Sequence, residues 1–199
     1  MRIGLDFDNT LVSYDQLFWE LAREQHGLPE HIPVHKQAVR DYLRQQNQEE
    51  AWIYLQGEVY GGQMHRAAAF PGVAEFILKA LNQGHELFIV SHKTRQPFRG
   101  PAYDLHAAAR HWLELQHWGL PPEQAYFELS KEAKRDRIAA LAVDLFVDDL
   151  PEFLDLEGFP AQTQRILFDP ARLTPPGPWQ YLHDWHDWSD LHDLQAIRA

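Results

Sequence analysis

The chain has 199 residues, 45% of them hydrophobic, and a formal net charge of −11 at pH 7. This length and composition predict a globular protein with one sizeable core and room for a modest insertion. Because the chain has no cysteine, it cannot form disulfides, thiolate metal sites or a cysteine nucleophile. The acidic charge argues against binding to a nucleic acid polymer, since such proteins usually carry a net basic surface.

The sequence also argues against a membrane location. It opens with Met1-Arg2-Ile3-Gly4-Leu5, which predicts a strand and not the apolar region of a signal peptide. No apolar run approaches the roughly 18 residues that a membrane span needs. We therefore expect a cytoplasmic protein whose partner is a small ligand.

Strand and helix patterns alternate along the first part of the chain. Residues 2–7 form a short apolar run that predicts a strand, and hydrophobic residues at helical spacing predict a helix over 14–25. The pattern changes between 27 and 69, where two amphipathic stretches, 34–46 and 49–59, are bounded by proline and glycine. This part of the chain predicts a small helical insertion.

The alternation resumes after Pro71-Gly72. The predicted elements are a helix from 73 closed by Gly84, a strand over 86–90, a loop over 92–101, a helix over 105–118, a short strand over 124–129, a helix over 131–142, and strands over 144–147 and 165–168. A Pro-rich stretch and a Trp- and His-rich tail follow. Alternating elements with apolar strands predict an α/β fold, in which helices cover both faces of a parallel sheet.

Polar side chains stand at the ends of several predicted strands. The set consists of Asp6, Asp8, Ser91, Asp148 and Asp149, together with Lys134 near the start of a predicted helix. Because ligands of open α/β sheets bind at the carboxyl ends of the strands, we expect these groups to converge on a magnesium and phosphate site. Clustered carboxylates repel each other, and hard oxygen ligands favour Mg²⁺ as the cation that relieves this repulsion.

Each residue type in this set suits one part of phosphoryl chemistry. One aspartate can attack phosphorus, and a second can protonate the leaving oxygen and later accept a proton from water. Ser91 and Lys134 fit as donors to the phosphoryl oxygens, where the transition state carries most charge. Lys131, one helical turn before Lys134, is an alternative phosphate ligand.

The same residues resemble the four motifs of the haloacid dehalogenase (HAD) superfamily, in the same order. Asp6-Phe7-Asp8-Asn9-Thr10-Leu11-Val12 is similar to the first motif, Ser91 to the second, Lys134 to the third and Asp148-Asp149 to the fourth. The resemblance implies a Rossmann-like core formed by 1–13 and 70–199, with a small α-helical cap at 14–69.

The resemblance also implies roles within the site. Asp6 would be the nucleophile and Asp8 the acid/base, and Mg²⁺ would be held by Asp6, the backbone carbonyl of Asp8, and Asp148 or Asp149. Asp8, two residues after the nucleophile, implies phosphate ester chemistry instead of dehalogenation. We also assign Thr10, in the first motif, to the substrate-binding residues.

These inferences predict a Mg²⁺-dependent phosphomonoester hydrolase that acts on a small phosphorylated metabolite through an aspartyl-phosphate. Two alternatives stay open. One is a 5′-nucleotidase or phosphotransferase of the same fold, and the other is a binding or regulatory module that keeps the fold without turnover.

Substrate recognition is expected outside the catalytic set. Lys93 and Arg95, directly after Ser91, place two cations in a long loop, where function is often found. Three aromatic residues of the insertion, Trp52, Tyr54 and Tyr60, would stack on a base or sugar or simply pack together. In the tail, His183, His186 and His192 have metal-like spacing among Trp185 and Trp188, although an amphipathic closing segment explains them as well.

Overall fold

A computed structural model of the protein describes residues 1–188. The strands are β1 (Arg2–Leu5), β2 (Val12–Ser13), β3 (Ala68–Ala69), β4 (Glu86–His92), β5 (Ala125–Glu128), β6 (Leu145–Asp148), β7 (Gln164–Phe168) and β8 (Gln180–Leu182). The α-helices are α1 (Asp15–His26), α2 (Lys36–Gln45), α3 (Glu49–Gly57), α4 (Val73–Asn82), α5 (Leu105–Gln116), α6 (Lys131–Leu141) and α7 (Pro151–Leu154). A π-helical turn, Glu58–Gly62, follows α3, and 3₁₀ turns cover Met64–Arg66, Pro122–Gln124 and Trp185–Trp188.

By its packing the chain divides into two compact units. Within the described residues, the first consists of 1–11, 69–92 and 117–188, and the second of 12–68 and 93–116. The predicted domains placed 93–116 with the core, whereas in the structure this segment packs with the helices of the second unit. The predicted domain boundaries stay a prediction.

The first unit is built on a six-stranded sheet in the order β5-β4-β1-β6-β7-β8. Each neighbouring pair is parallel, and Ile3 on β1 faces Leu87 on β4 and Leu145 on β6. The chain moves outward from β1 to β5 and then resumes on the other side of β1, which creates a switch point beside β1. The predicted α/β fold with a Rossmann-like parallel sheet is confirmed.

Apolar strands form the core of this unit, as the sequence predicts for a sheet covered on both faces. Every residue of β6 is buried, and Phe146 on this strand packs in a cluster with Ile138 of α6 and Phe153 of α7. Burial on both faces explains why the first three residues of β6, Leu145-Phe146-Val147, form a continuous apolar run.

Three short strands, β2, β3 and β8, were missed, and one strand ends later than expected. The sequence pattern predicted 165–168 as the last strand, but β8 (Gln180–Leu182) adds to the sheet beside β7. Its three residues are too few to show a period of two, so only the pairing with β7 identifies it. Strand β4 continues to His92, so that Ser91 lies inside the strand and pairs with Phe127.

The second unit contains α1, α2, α3 and α5. Trp112 is fully buried and donates its indole N–H to the backbone carbonyl of Ala67 at 2.8 Å. Tyr103 donates its hydroxyl to Glu58 at 2.7 Å, and its ring covers Gly61. A Cβ at Gly61 would lie 2.7 Å from the Cβ of Tyr103, so this close approach requires glycine.

None of the helices within residues 1–188 combines the length and the apolar character that crossing a membrane requires.

Candidate active site

The residues after β1 form a tight turn that begins at Asp6. Asp6 is buried, and its backbone N–H donates to the carbonyl of Val147 on β6 at 2.8 Å. The N–H of Leu11 donates back to the carbonyl of Phe7 at 3.0 Å, and Asn9 adopts a left-handed conformation with φ 57°. Asparagine tolerates this conformation better than most residues, which lets the chain reverse directly after the strand.

Lys134 links the carboxyl ends of two neighbouring strands. Ser130 caps α6 by accepting a hydrogen bond from the N–H of Ala133 at 3.0 Å, so the helix begins at Lys131, three residues before Lys134. The Lys134 ammonium lies 2.6 Å from Oδ1 of Asp6 and 2.5 Å from Oδ2 of Asp148. All three side chains are buried, so the ion pairs are shielded from water.

Lys131 occupies a different environment one turn earlier. Its ammonium lies 3.3 Å from Glu152, and the side chains of this pair are 36% and 62% exposed. The structure therefore brings Lys134, and not Lys131, to the two buried carboxylates, although Lys131 also lines the cavity described below. The phosphate-binding role of either lysine stays a prediction.

The cluster contains three aspartates and one lysine, so its carboxyl groups outnumber its cation. Burial lowers the pKa of Lys134, but the carboxylates of Asp148 and Asp6 raise this pKa by more, so the ammonium stays protonated. Burial raises the pKa of Asp148 to about 7, against the opposing effect of Lys134. Burial, and then the carboxylates of Asp148 and Asp6, raise the pKa of Asp149 well above its ordinary value. A further cation would favour the charged form of these carboxylates.

The donor set fits a magnesium ion. Asp6, Asp148 and Asp149 each offer a carboxylate oxygen, and these oxygens lie within 4.8 Å of one another. Oxygen ligands of this kind are the ones Mg²⁺ prefers. Both oxygens of Asp148 already accept hydrogen bonds, Oδ2 from Lys134 and Oδ1 from the N–H of Leu150 at 2.9 Å. Within the fourth motif, Asp149 is therefore the carboxylate better placed to bind a cation.

A small cavity of about 80 Å³ opens at this end of the sheet. Its lining consists of Asp6, Asp8, Asn9, Ser91, His92, Lys131, Lys134, Asp149, Leu150 and Phe153. The structure thus brings all four predicted catalytic residues to one cavity, together with Asp149 of the fourth motif. Asp148 is fully buried beneath them.

Four lining residues were not predicted. Asn9 and His92 are next to predicted site residues in sequence, and this adjacency could have identified them as lining residues. Leu150 and Phe153 follow Asp149, and no sequence signal marks their role. Phe153 lies with its ring centroid 4.1 Å from the Lys134 ammonium, so a cation–π contact supports the lysine on its apolar side.

The predicted substrate-binding residues lie in different places. Thr10 is fully buried, and its hydroxyl lies 3.5 Å from Oδ2 of Asp6. Lys93 and Arg95 belong to the second unit. The Lys93 ammonium is 5.3 Å from the ring centroid of Tyr60, and the exposed Arg95 lies 3.4 Å from Asp104.

The aromatic residues of the insertion divide into packed and exposed ones. Trp52 is buried and stacks on Phe18, with ring centroids 5.1 Å apart. Tyr60 packs edge-on against Tyr14 at 4.9 Å, whereas Tyr54 is 49% exposed. Trp52 is thus part of the packing of the second unit.

The histidines of the tail have local partners. His183 Nδ1 lies 2.6 Å from the carbonyl of Asp169, and His186 Nδ1 lies 2.7 Å from a carboxylate oxygen of Asp184. In the part of the chain that the structure describes, neither belongs to a group of three residues that could hold a metal ion. His192 lies outside the described residues.

No family model matches the sequence. A protein of Oceanobacillus iheyensis with the name "Putative nucleotidase" is 20% identical over 162 residues, which cover 78% of this chain and 80% of that protein.

Solved structures match over almost the whole chain. A HAD-superfamily hydrolase from Ehrlichia chaffeensis superposes with a TM-score of 0.55 at 15% identity, covering 98% of this chain and 97% of its own. A HAD family hydrolase from Deinococcus radiodurans R1, solved with bound phosphate and sodium, superposes with a TM-score of 0.53 at 17% identity, covering 94% and 92%. The protein has the fold of the HAD-superfamily hydrolases, and the resemblance drawn from the four motifs is confirmed at the level of the fold.

Proposed function

We propose that the protein is a Mg²⁺-dependent phosphomonoester hydrolase that acts on a small phosphorylated metabolite. The observation that carries the proposal is the cavity that Asp6, Asp8, Ser91 and Lys134 line together at the carboxyl ends of β1 and β4, with the Lys134 ammonium 2.6 Å from Asp6. A binding module would need the cation and the hydroxyl to hold a phosphate, but it would not need two carboxylates beside them. The paired carboxylates therefore favour catalysis over binding alone.

In the first step of the proposed reaction, a carboxylate oxygen of Asp6 attacks phosphorus while the bond from phosphorus to the leaving oxygen breaks. Asp8 donates a proton to that oxygen, so the product leaves as an alcohol. Lys134 and Ser91 donate to the phosphoryl oxygens as charge develops on them. The products of this step are the alcohol and an aspartyl-phosphate on Asp6.

The second step returns the enzyme to its starting state. Asp8, now a carboxylate, accepts a proton from water as the water oxygen attacks phosphorus. The bond between phosphorus and Asp6 breaks, which releases inorganic phosphate. Bound Mg²⁺ would be held by Asp6, Asp149 and the backbone carbonyl of Asp8, and it would neutralise charge on the phosphoryl group.

A second candidate, nucleotidase activity, has support of its own. The likeness to the Oceanobacillus iheyensis protein covers 78% of this chain, and its name is that of a nucleotidase. The same catalytic steps would then act on a nucleoside monophosphate. A screen of nucleoside monophosphates beside sugar phosphates, with phosphate release as the readout, separates the two candidates by kcat/KM.

The test of the proposed function uses an aryl phosphate with the purified protein. We expect phosphate release that depends on Mg²⁺ and stops on chelation, together with a phosphoryl-enzyme that Asp6→Asn cannot form. Asp136→Asn, a change of the same type at an exposed aspartate of α6, is the matched control and should behave as wild type. Turnover that persists in Asp6→Asn would contradict the proposed mechanism.

A further inference from the structure

The Trp-rich tail contributes one buried tryptophan to the first unit. Trp185 begins the 3₁₀ turn Trp185–Trp188 and is 2% exposed. Its indole N–H donates to the backbone carbonyl of Thr10 at 3.1 Å, across 175 residues of sequence. The tail is therefore attached to the turn that follows β1.

That turn carries the residues of the first motif. The hydroxyl of Thr10 lies 3.5 Å from Oδ2 of Asp6, and Asp8 and Asn9, which precede Thr10, line the cavity. Because Thr10 is fully buried, its carbonyl is shielded from water and needs a donor from the protein. Trp185 supplies this donor.

Packing holds the indole in place. Trp185 lies in an aromatic cluster with Phe76 at 5.0 Å, Phe168 at 5.5 Å and Trp188 at 5.8 Å, measured between ring centroids. Gly72 lets the tail come this close, because a Cβ at Gly72 would lie 2.9 Å from the Cβ of Trp185. An indole fixed on several sides can hold its hydrogen-bond acceptor in a fixed place.

We propose that Trp185 is a positioning residue for the reaction, which holds the turn 7–11 so that Asp8 meets the leaving oxygen. The inference rests on the proposed function, in which Asp8 protonates that oxygen. Loss of the indole N–H frees the Thr10 carbonyl, so the turn samples more conformations and Asp8 is less often aligned. Misalignment of a catalytic group by about 1 Å can cost on the order of a hundredfold in rate.

The experiment compares Trp185→Phe with Trp188→Phe. Both variants exchange an indole for a phenyl ring in the same cluster, where Trp188 packs on Phe76 at 5.1 Å, but only the first removes the donor to Thr10. A third protein carries β-(3-benzothienyl)alanine in place of Trp185, which keeps the bicyclic shape without the N–H. This protein preserves the test if Trp185→Phe fails to fold.

Two readouts are measured for each protein. The first is amide hydrogen exchange in peptides that cover residues 7–11, which does not depend on activity. The second is the ratio of kcat/KM for an alkyl phosphate to that for p-nitrophenyl phosphate. The alkyl leaving group needs a proton, whereas the nitrophenolate needs one much less, so this ratio reports on Asp8 and not on general stability.

We expect faster exchange at 7–11 and a fall of about tenfold or more in the ratio when the N–H at position 185 is lost, with neither change in Trp188→Phe. Unchanged exchange at 7–11 overturns the inference, and so does an equal fall with both substrates. If wild type releases no phosphate from any substrate, the proposed function fails, and with it the positioning role assigned to Trp185, whatever the exchange shows.

Discussion

The ammonium of Lys134 lies 2.6 Å from Oδ1 of Asp6, although 128 residues separate them in sequence. The contact exists because α6, which Ser130 caps, packs on β4, the neighbour of β1, so that Lys134 reaches the end of β1 where Asp6 follows the strand. It places a permanent positive charge at the carboxylate that we propose as the nucleophile.

Removal of Lys134 should affect both activity and stability. Lys134→Ala leaves two buried carboxylates without their cation, so the free energy of unfolding should fall by about 3–5 kcal/mol. It also removes a donor to the phosphoryl group, so kcat/KM should fall by roughly 10²–10³. Lys131→Ala is the matched control, since it breaks only an exposed ion pair with Glu152, worth about 0–1 kcal/mol. Urea unfolding and steady-state kinetics give both values, and the opposite ranking of the lysines would contradict the assignment.

The two aspartates of the fourth motif should differ in their response to substitution in metal-free protein. Burial raises the pKa of Asp148 to about 7, which favours Asp148→Asn at pH 7, but this variant also weakens the pair with Lys134, so the free energy of unfolding should change little. Asp149→Asn removes a carboxylate whose pKa is raised by burial and by Asp148 and Asp6, so stability at pH 7 should rise. Thermal unfolding after chelation measures both changes.

Added Mg²⁺ then distinguishes Asp149→Asn from wild type. A ligand that binds only the folded state stabilises it by about 2.7 kcal/mol at a concentration of 100 Kd. We expect Mg²⁺ to raise the melting temperature of wild type and to leave that of Asp149→Asn unchanged. A full response to Mg²⁺ in Asp149→Asn would mean that the ion is held elsewhere.

Lys93 and Arg95 are proposed to recognise the part of the substrate beyond the phosphoryl group. Lys93→Ala and Arg95→Ala should change the preference among phosphorylated metabolites by more than they slow p-nitrophenyl phosphate. Arg99→Ala is the matched control, because Arg99 is a nearby loop arginine that lies 5.7 Å from the ring of Phe98. A uniform loss of kcat/KM over all substrates would place recognition in other residues.

Substitution of Trp52 should lower the stability of the protein and leave its substrate preference unchanged. Since it is buried and stacked on Phe18, Trp52→Ala should lower the free energy of unfolding by about 3–5 kcal/mol. Tyr54→Ala, in the same helix but half exposed, should cost much less. Chemical denaturation measures both variants. A large shift in substrate preference with unchanged stability in Trp52→Ala would restore the ligand-stacking interpretation.

The sequence by itself predicted the α/β class and the parallel sheet, because apolar runs such as Leu145-Phe146-Val147 and their alternation with amphipathic stretches are local signals. It also indicated where the polar residues cluster, because parallel strands place their carboxyl ends at one edge of the sheet. Asp6, Ser91 and Asp149 could therefore be assigned to one site before any distance was known.

Only the tertiary structure decided which lysine reaches the carboxylates. Lys131 and Lys134 are one turn apart on α6, and the choice depends on the rotation of the helix against the sheet, which no local pattern encodes. The same holds for β8 and for Trp185, whose partners β7 and Thr10 are distant in sequence. A three-residue strand and a single indole take their places in the fold by pairing with residues that are distant in sequence. Packing therefore decides those places, and the local sequence does not.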